Sequence, residues 1–203
     1  MSVLPSQPRY NVEDYLALER ASDDRHEFLD GQIYAMAGES VPHGDICMNL
    51  GAELRAQLRG RACRVLSKDL KVRSGPAPKP SYSRRGLFSY PDLVVICGEP
   101  QFQDEHRDVL LNPIVIIEVL SPSTEAFDRG EKWLRYQTWL PTLAHYVLVS
   151  QIKPEVEHYH RRPDGWLYSL VSGLEGTLRL ESIDCTLALS EICDRIVFAV
   201  EEN

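Results

Sequence analysis

The fold of this chain is decided by two apolar stretches, Tyr90-Pro91-Asp92-Leu93-Val94-Val95-Ile96-Cys97 and Pro113-Ile114-Val115-Ile116-Ile117-Glu118-Val119-Leu120. Continuous Val and Ile runs bounded by Pro or Gly are typical of strands that are covered on both faces of a sheet. Each run contains one carboxylate, Asp92 or Glu118, and an ionised carboxylate in such a place is costly unless it is paired or binds a metal. We expect the two strands to be neighbours, so that the two acids together hold a divalent cation.

Helical and extended patterns alternate along the rest of the chain. Helices are predicted to begin near Asn11, near Ser40 and at Asp128, where a short polar side chain can accept hydrogen bonds from first-turn amides. Alternating polar and apolar residues predict a hairpin over residues 26–37 and a strand over 63–73, and an apolar run predicts a strand over 144–150. The turn signal at residues 162–165 predicts a hairpin of 155–161 with 166–171. The stretch from Ser74 to Ser89 is predicted to be a loop. This order predicts one α/β domain over residues 1–203, with a mixed central β-sheet and helices on both faces.

The composition is that of an ordinary soluble protein. The chain has 203 residues, of which 43% are hydrophobic and 26% are charged, and this suits one domain with a sizeable core. No apolar run reaches about 18 residues, so we expect no membrane span. The polar N-terminus, Met1 to Tyr10, lacks the apolar core of a signal peptide. Five cysteines without CxxC spacing are most simply reduced and buried, and we expect a cytoplasmic protein.

The charge of the chain is unevenly distributed. The net charge of −8 argues against generic nucleic-acid binding. However, the segment from Arg59 to Arg85 has a charge of +8, against −16 in the rest of the chain. A basic strip on an acidic protein is a candidate phosphate-binding surface, and a solvated strand and loop is the plainer interpretation. The candidate nucleic-acid contacts in this strip are Lys68, Lys71, Arg73, Arg84 and Arg85.

Lys132 is a further candidate for chemistry. The strand of Glu118 leads through Ser121-Pro122 into the helix that carries Lys132. A cation in the first turn of a helix is disfavoured by the helix dipole, so this placement is a modest indication of function. A surface pair between Asp128 and Lys132, four residues apart, explains the placement equally well.

Together these motifs resemble the Uma-two family of endonucleases. The resemblance is carried by Tyr90 to Val95, Ile117 to Thr124, Asp128 to Lys132, Tyr136, Glu27 to Tyr34 and His43. It extends roughly from Val12 to Leu170. It implies a restriction-endonuclease-like fold of the PD-(D/E)XK nuclease superfamily and a metal-dependent enzyme that hydrolyses phosphodiester bonds in DNA.

The resemblance also implies roles for single residues. Asp92 and Glu118 would bind Mg²⁺ or Mn²⁺, and Glu27 would be an additional acid of the same site. The superfamily has a lysine two residues after the second acid, and that position is Leu120 here. The family pattern has a lysine in the following helix instead, which corresponds to Lys132. Nucleases of this superfamily often pair their active sites, so we expect a homodimer, with the edge of the C-terminal hairpin as its candidate interface.

Three classes of function remain open from the sequence. The chain is a metal-dependent DNA nuclease, a catalytically silent nucleic-acid-binding module of the same fold, or an interaction protein with structural carboxylates. Metal affinity at Asp92 and Glu118 separates the first class from the others. His158 and His160 could belong to a transition-metal site but have no evident third ligand. His43 either assists the site or is a polar residue at a helix start.

Overall fold

The computed structural model describes residues 9–36, 38–77, 81 and 83–198. The polar N-terminal segment up to Pro8 and Lys79 of the basic segment lie outside the described residues. The helices are α1 (Val12–Ala21), α2 (Val41–Gln57), α3 (Glu125–Phe127), α4 (Trp133–Trp139) and α5 (Leu189–Ile192). The strands are β1 (His26–Leu29), β2 (Gln32–Ala35), β3 (Cys63–Ser67), β4 (Lys71–Ser74), β5 (Leu87–Ser89), β6 (Leu93–Cys97), β7 (Val109–Leu110), β8 (Val115–Leu120), β9 (His145–Ser150), β10 (Glu155–Arg162), β11 (Gly165–Ser172), β12 (Thr177–Leu180) and β13 (Cys185–Ala188). Of the helices in these described ranges, none has the length and apolar character needed to cross a membrane.

The two carboxylate strands lie inside a six-stranded sheet. In the described part of the chain its order is β11-β10-β9-β8-β6-β3. Strands β6 and β8 are antiparallel, with Leu93 opposite Ile117, and β8 runs parallel to β9. Every residue of β8 is buried, as expected for a strand that is covered on both faces. The predicted pairing of the carboxylate strands is therefore confirmed.

Helices cover both faces of this sheet. Ile46 and Leu50 of α2 recur at a spacing of four residues, and they pack in the apolar cluster that contains Ile117. Tyr136 of α4 packs in the cluster on the other face, which contains Ile116. Neighbouring residues of a strand point to opposite faces, so the two helices lie on opposite sides of β8. The predicted mixed sheet flanked by helices is confirmed.

Glu27 belongs to a second, five-stranded sheet with the order β2-β1-β5-β4-β7 in the described residues. Strands β1 and β2 form the predicted hairpin, and its turn residues Asp30 and Gly31 both have positive φ, 46° and 93°. An Asp-Gly pair suits this turn because both central residues must adopt left-handed conformations. The carboxylate of Asp30 also accepts a hydrogen bond of 2.9 Å from the amide of Gly86, which fixes the turn to the loop before β5.

Three predicted boundaries differ from the structure. Residues 63–73 form not one strand but two, β3 and β4, which belong to different sheets because the chain turns between them. Strand β5 lies within the stretch 74–89 that was predicted to be a loop. The helix predicted to begin at Asp128 begins at Glu125 instead, and Asp128–Lys132 form a π-helical turn that leads into α4. Lys132 is therefore not in the first turn of its helix, and the argument from the helix dipole does not apply.

The cysteines also require a correction. Cys63 and Cys97 form a disulfide, whereas the sequence predicted reduced cysteines throughout. The register of β3 and β6 sets the two residues directly opposite each other. Because 34 residues separate them in the sequence, no local spacing reveals the pair. Cys47, Cys185 and Cys193 carry free thiols.

Candidate active site

Asp92 and Glu118 lie side by side at the ends of β6 and β8. Leu93 lies opposite Ile117 in the antiparallel register, and Asp92 and Glu118 are the next residues beyond this pair. Glu118 is 4% exposed, whereas the side chain of Asp92, just before β6, is 13% exposed. Oδ2 of Asp92 accepts a hydrogen bond of 2.7 Å from the amide of Val119, the residue after Glu118. Strand pairing thus fixes both acids relative to each other.

The ammonium group of Lys132 lies among three carboxylates. Its Nζ is 3.1 Å from Oε1 of Glu118, 3.1 Å from Oδ1 of Asp128 and 3.5 Å from Oε1 of Glu27. The Lys132 side chain is only 6% exposed. The pair that Lys132 makes with Asp128 is therefore a buried contact shared with Glu118, and not the surface pair that the sequence left open.

Three parts of the fold supply this cluster. Strands β6 and β8 carry Asp92 and Glu118, and the π-helical turn carries Lys132. Glu27 approaches from β1 of the second sheet, where its Oε1 accepts a hydrogen bond of 3.2 Å from the amide of Tyr90. Glu27, Glu118 and Lys132 are in direct contact, and Asp92 adjoins them through the backbone of β8.

The helical segment after β8 presents its polar residues at a spacing of four. Asp128, Lys132 and Tyr136 follow one another along the side that faces the sheet. The hydroxyl of Tyr136 donates to Oε1 of Glu118 at 3.3 Å and is 2.7 Å from the hydroxyl of Ser89. The hydroxyl of Tyr146 on β9 donates to the carbonyl of Asp128 at 3.0 Å, which anchors the π-helical turn on the sheet.

Burial and neighbouring charges determine the protonation of the cluster. Burial raises the pKa of Glu118 well above its ordinary value, and the nearby Asp128 and Asp92 raise it further against the opposing effect of Lys132. Burial alone would lower the pKa of Lys132, but Glu118 and Glu27 outweigh burial and hold that pKa well above its usual range. Burial thus favours the neutral form of Glu118, and the neighbouring carboxylates favour the charged form of Lys132.

The donor set fits a hard divalent cation. The carboxylates of Glu27, Glu118 and Asp128 surround one ammonium group and Asp92 lies nearby, so acids exceed cations in this part of the protein. Carboxylate oxygens are the ligands that Mg²⁺ and Mn²⁺ prefer. Asp92 and Glu118, which adjoin each other at the strand ends, are the residues that would hold such an ion.

His43 contacts this site from α2. Its Nε2 is 2.9 Å from Oδ1 of Asp92, while its backbone amide donates to the hydroxyl of Ser40, the N-cap of α2, at 3.3 Å. The position of His43 at the helix start is confirmed, and its assistance to the site stays a prediction that the contact with Asp92 supports. The residue lies in the first turn of the helix, and its ring orients a carboxylate of the candidate site.

The five basic residues proposed to contact nucleic acid do not share one surface. Lys71 is 5% exposed, and its Nζ is 3.1 Å from Asp108, so its charge is enclosed in the protein. Arg73 is partly buried and donates to the carbonyl of Pro76. Lys68 lies 2.5 Å from Glu39 at the other side of the site. Only Arg84 and Arg85 are fully exposed side chains of the predicted set.

Arg84 and Arg85 line a groove on the described part of the molecule. The groove has a volume of about 960 Å³ and lies between the β1–β2 hairpin, the loop before β5 and α4. Arg135 and the half-exposed Trp139 belong to its wall, as does Glu131, the residue before Lys132. Arginine and tryptophan side chains form a surface that suits a phosphate backbone and its bases.

A group of three histidines lies at β9 and β10, away from this site. His145 faces His160 across β9 and β10, and Nδ1 of His145 is 2.8 Å from Nε2 of His158. The third histidine that the sequence did not identify is thus His145. Within the described ranges, however, the one group of three or more possible ligands whose donor atoms lie within 4.8 Å of one another is Glu39, His43 and Cys47.

Sequence reasoning missed Asp128, Tyr136 and Ser89 as members of the site. Asp128 was interpreted as a helix cap, although its spacing of four residues from Lys132 and of eight from Tyr136 places all three on one helix face. Ser89 carries no local signal, because only the pairing of β5 with β4 and β1 brings it to Tyr136.

Comparison with known proteins is consistent with this architecture. The family model of Uma2, described as "Putative restriction endonuclease", matches residues 12–191. Two uncharacterized proteins of Synechocystis sp. are similar over most of their length: slr1290 is 34% identical over 94% of this chain and 95% of its own, and sll1609 is 32% identical over 85% and 93%. The fold is similar to that of a crystal structure described as a "putative nuclease belonging to DUF820" from Anabaena variabilis. That likeness has a TM-score of 0.73 at 14% identity and covers 93% of this chain and 99% of the other.

Proposed function

This chain belongs to the Uma2 family of restriction-endonuclease-like proteins, and from that premise we propose that it is a metal-dependent DNA endonuclease with Asp92, Glu118, Glu27 and Lys132 as its active site. The observation that carries the proposal is the buried contact of Lys132 with Glu118 and Glu27, beside Asp92 at the strand ends. A protein that used these acids only for packing would gain as much from apolar side chains of the same size.

The proposed cofactor is Mg²⁺ or Mn²⁺ at Asp92 and Glu118. When bound, such an ion supplies Lewis-acid polarisation of the phosphate and lowers the pKa of a coordinated water. Glu118 would give up the proton that its raised pKa favours, because a cation of double charge stabilises its carboxylate form. His43 and the amide of Val119 hold the Asp92 carboxylate in one orientation.

Lys132 has a defined role in this proposal. Its ammonium group is held by Glu118 and Asp128, next to the carboxylates that would meet the scissile phosphate. There it stabilises the negative charge that develops on the phosphate oxygens as water attacks phosphorus and the leaving oxygen departs. It thus takes the place of the superfamily lysine that is missing at Leu120. The buried side chain does this from within the cluster and not by reaching out on a flexible stem.

The proposed substrate contact is the groove whose wall includes Glu131, the residue before Lys132. Arg84 and Arg85 line that groove together with Trp139, while Lys68 lies on the side of Glu39. We leave Lys71 out of this surface because it is buried against Asp108 and Tyr90.

A homodimer is also part of the proposal, and β11 is its interface. This strand is the edge of the six-stranded sheet, it has eight residues without a charge, and Leu167, Tyr168 and Leu170 are each about half exposed. Edge strands of natural proteins are usually protected by charge, Pro or a bulge, and β11 has neither charge nor Pro. A second copy of the chain is the partner that the strand fits.

A nicking assay on supercoiled plasmid in Mn²⁺ tests the function. We expect the wild-type protein to cleave, and we expect Asp92→Asn and Lys132→Ala to lose about 100-fold or more in rate, since the first weakens the proposed metal site and the second removes a cation that stabilises the transition state. Asp164→Asn in the exposed β10–β11 turn is the matched control for the first variant and should cleave like wild type.

Two further measurements complete the test. Circular dichroism establishes that Lys132→Ala is folded, and Lys132→Arg, which keeps the charge, replaces it if it is not. Calorimetry should detect Mn²⁺ binding by wild type and weaker binding by Asp92→Asn. Full cleavage by folded Lys132→Ala contradicts the role of Lys132. If the wild-type protein binds single-stranded or double-stranded DNA but cleaves neither, that result contradicts the proposed nuclease activity and favours the catalytically silent binding module.

A further inference from the structure

A second cluster of potential metal ligands lies on α2, beside the candidate active site. Glu39 precedes the N-cap of α2, and His43 and Cys47 follow at intervals of four residues. One donor atom of each residue, a carboxylate oxygen, an imidazole nitrogen and the thiol sulfur, lies within 4.8 Å of the others. His43 and Cys47, four residues apart, lie on one side of α2, and Glu39 lies just before the N-cap of the same helix.

We propose that Glu39, His43 and Cys47 bind a borderline transition-metal dication such as Zn²⁺, with Asp92 as a fourth ligand. Oδ1 of Asp92 is 2.9 Å from Nε2 of His43, the same ring nitrogen that is 4.0 Å from Oε2 of Glu39. Ligand atoms on a tetrahedral Zn²⁺ stand about 3.3–3.8 Å apart, given Zn–N near 2.0 Å and Zn–S near 2.3 Å. Glu39, His43 and Cys47 lie close enough together to reach that spacing by small side-chain shifts, whereas Asp92 contacts His43 but lies outside this group and must move toward the ion.

The chemistry of the donors selects the class of metal. A thiolate and an imidazole favour Zn²⁺, Co²⁺ or similar ions over Mg²⁺, whereas the all-carboxylate cluster around Glu118 favours the hard cations. Two sites of different preference would thus share Asp92. Binding converts the Cys47 thiol to a thiolate, and the proton leaves to the solvent.

Two features of the metal-free protein oppose binding and define controls. Lys68 holds the Glu39 carboxylate at 2.5 Å, so an ion must displace this ammonium group. Burial, with Asp92 and Glu39 nearby, raises the pKa of Cys47, so the thiol is protonated until a cation arrives. Removal of Lys68 should therefore raise the affinity of the site for the metal ion. A purely structural role for Glu39 would not produce that increase.

One consequence rests on the proposed nuclease function. Oδ1 of Asp92 faces His43 and Oδ2 faces the amide of Val119, so Zn²⁺ at this cluster competes with the Glu118 site for the Asp92 carboxylate. We expect one equivalent of Zn²⁺ to slow Mn²⁺-dependent cleavage, and Cys47→Ala to remove that inhibition while the basal cleavage rate persists, because Cys47 is outside the Glu118 cluster.

The direct test is binding of Co²⁺ and Zn²⁺ to the purified full chain. Co²⁺ bound through a thiolate gives a charge-transfer absorption that oxygen and nitrogen ligands do not give. We expect this band in wild type, its loss in Cys47→Ala, and an unchanged band in Cys193→Ala, the matched free cysteine. By calorimetry, Cys47→Ala should weaken Zn²⁺ binding about 100-fold. Lys68→Met should strengthen it several-fold.

The outcomes separate this inference from the proposed function. A band that persists in Cys47→Ala, or the absence of micromolar Zn²⁺ binding by wild type, overturns the site whether or not the protein cleaves DNA. If Cys193→Ala is unfolded, Cys193→Ser serves as the control. If wild type binds Zn²⁺ through Cys47 but cleaves no DNA, the metal site stands and only the nuclease proposal fails.

Discussion

Lys132 can be buried because carboxylates surround it. Transfer of an ammonium group out of water costs several kcal/mol, and removal of one partner of a buried pair typically costs about 3–5 kcal/mol because the other charge is left unpaired. Glu118 and Asp128, both at 3.1 Å, and Glu27 at 3.5 Å offset that cost. Without Lys132 these carboxylates would repel one another, so Lys132 both neutralises the acids and positions them.

The buried histidines His145 and His158 carry a different consequence, for pH. Burial, with the neighbouring histidines adding to it, lowers the pKa of His145 to about 3 and that of His158 to about 4, from an ordinary 6.5. Arg162 lowers and Glu181 raises the pKa of His158. The folded protein therefore keeps both rings neutral at a pH where the unfolded chain would protonate them.

We predict that the free energy of unfolding falls as the pH drops from 7 to 5. Between the folded pKa and 6.5 the unfolded chain binds more protons, so stability decreases with acidification, by about 1–2 kcal/mol for His158 alone. His158→Gln should show a smaller fall, and urea titrations at the two pH values measure it. His106→Gln, whose ring is exposed, should keep the wild-type fall. An equal fall in wild type and His158→Gln would remove His158 as its source.

Sequence alone could identify the residues of the site but not their contacts. Asp92 and Glu118 are visible because acids within Val and Ile runs are unusual, and Lys132 because of the family pattern. Lys71 was assigned to the surface because charge is normally solvated, and only the packing of β4 beside β7, with Asp108 just before β7, shows that it is enclosed. Contacts of this kind depend on distant pairs that no local pattern records.

Among the elements, the loop before β5 joins the charge pattern to the active site. It runs between β4 and β5, where Gly75 and Gly86 approach so closely that a Cβ on Gly75 would lie 2.5 Å from Cα of Gly86. The hairpin turn at Asp30 holds the loop through the amide of Gly86, and Arg135 of α4 pairs with the same carboxylate. The backbone on either side of Arg84 and Arg85 is therefore fixed beside the groove.

We predict that charge reversal in this loop weakens DNA binding. In Arg84→Glu/Arg85→Glu, the log–log dependence of affinity on salt should become shallower by up to about 1.8, or about 0.9 for each duplex phosphate that the loop no longer neutralises. Fluorescence anisotropy in EDTA measures binding without cleavage. Arg179→Glu/Arg195→Glu changes the net charge equally at exposed positions elsewhere and should leave the slope unchanged. Identical slopes for both double variants would mean that this loop does not contact DNA.

Element types were predictable where the pattern was local, and element partners were not. The Asp30-Gly31 turn and the α2 stripe follow directly from residue type and spacing. Residues 68–70, between β3 and β4, include no Gly or Pro. The alternation of polar and apolar residues therefore continues through them and predicts a single strand. The π-helical turn at residues 128–132 has the same spacing as an ordinary helix and is therefore invisible in the sequence.

At the scale of the whole molecule, the exposed edge of β11 is the feature that can pair with a partner strand. The two-residue turn makes Arg162 and Gly165 a hydrogen-bonded pair. Every second residue of β11 from Gly165 onward therefore bonds to β10, and the N–H and C=O groups of Trp166, Tyr168 and Leu170 point away from β10. In the described part of the chain, no hydrogen bond to these three backbones is seen. An antiparallel copy of β11 could satisfy them about a two-fold axis at Ser169, with Tyr168 facing Leu170 of the second copy.

We predict that the protein dimerises through this edge and that Tyr168→Lys/Leu170→Lys makes it a monomer. The strand edge is about 26 Å long. A single edge of this length offers a small contact surface, whereas a stable interface buries about 800 Å² per partner, so the dimer fraction should depend on protein concentration. Light scattering over a wide concentration range should show twice the monomer mass for wild type at high concentration. In the variant, four lysines would meet across the axis and repel one another, and the mass should stay that of one chain.

The control for this experiment is Leu174→Lys, which adds a charge at an exposed apolar residue just beyond the strand. It should dimerise like wild type if backbone pairing along β11 drives association, because it leaves the edge intact. A wild-type monomer at every concentration would refute the dimer. A dimer that survives both lysines on β11 would refute the interface, since like charges directly opposite in a sheet are destabilising and the edge could not close over them.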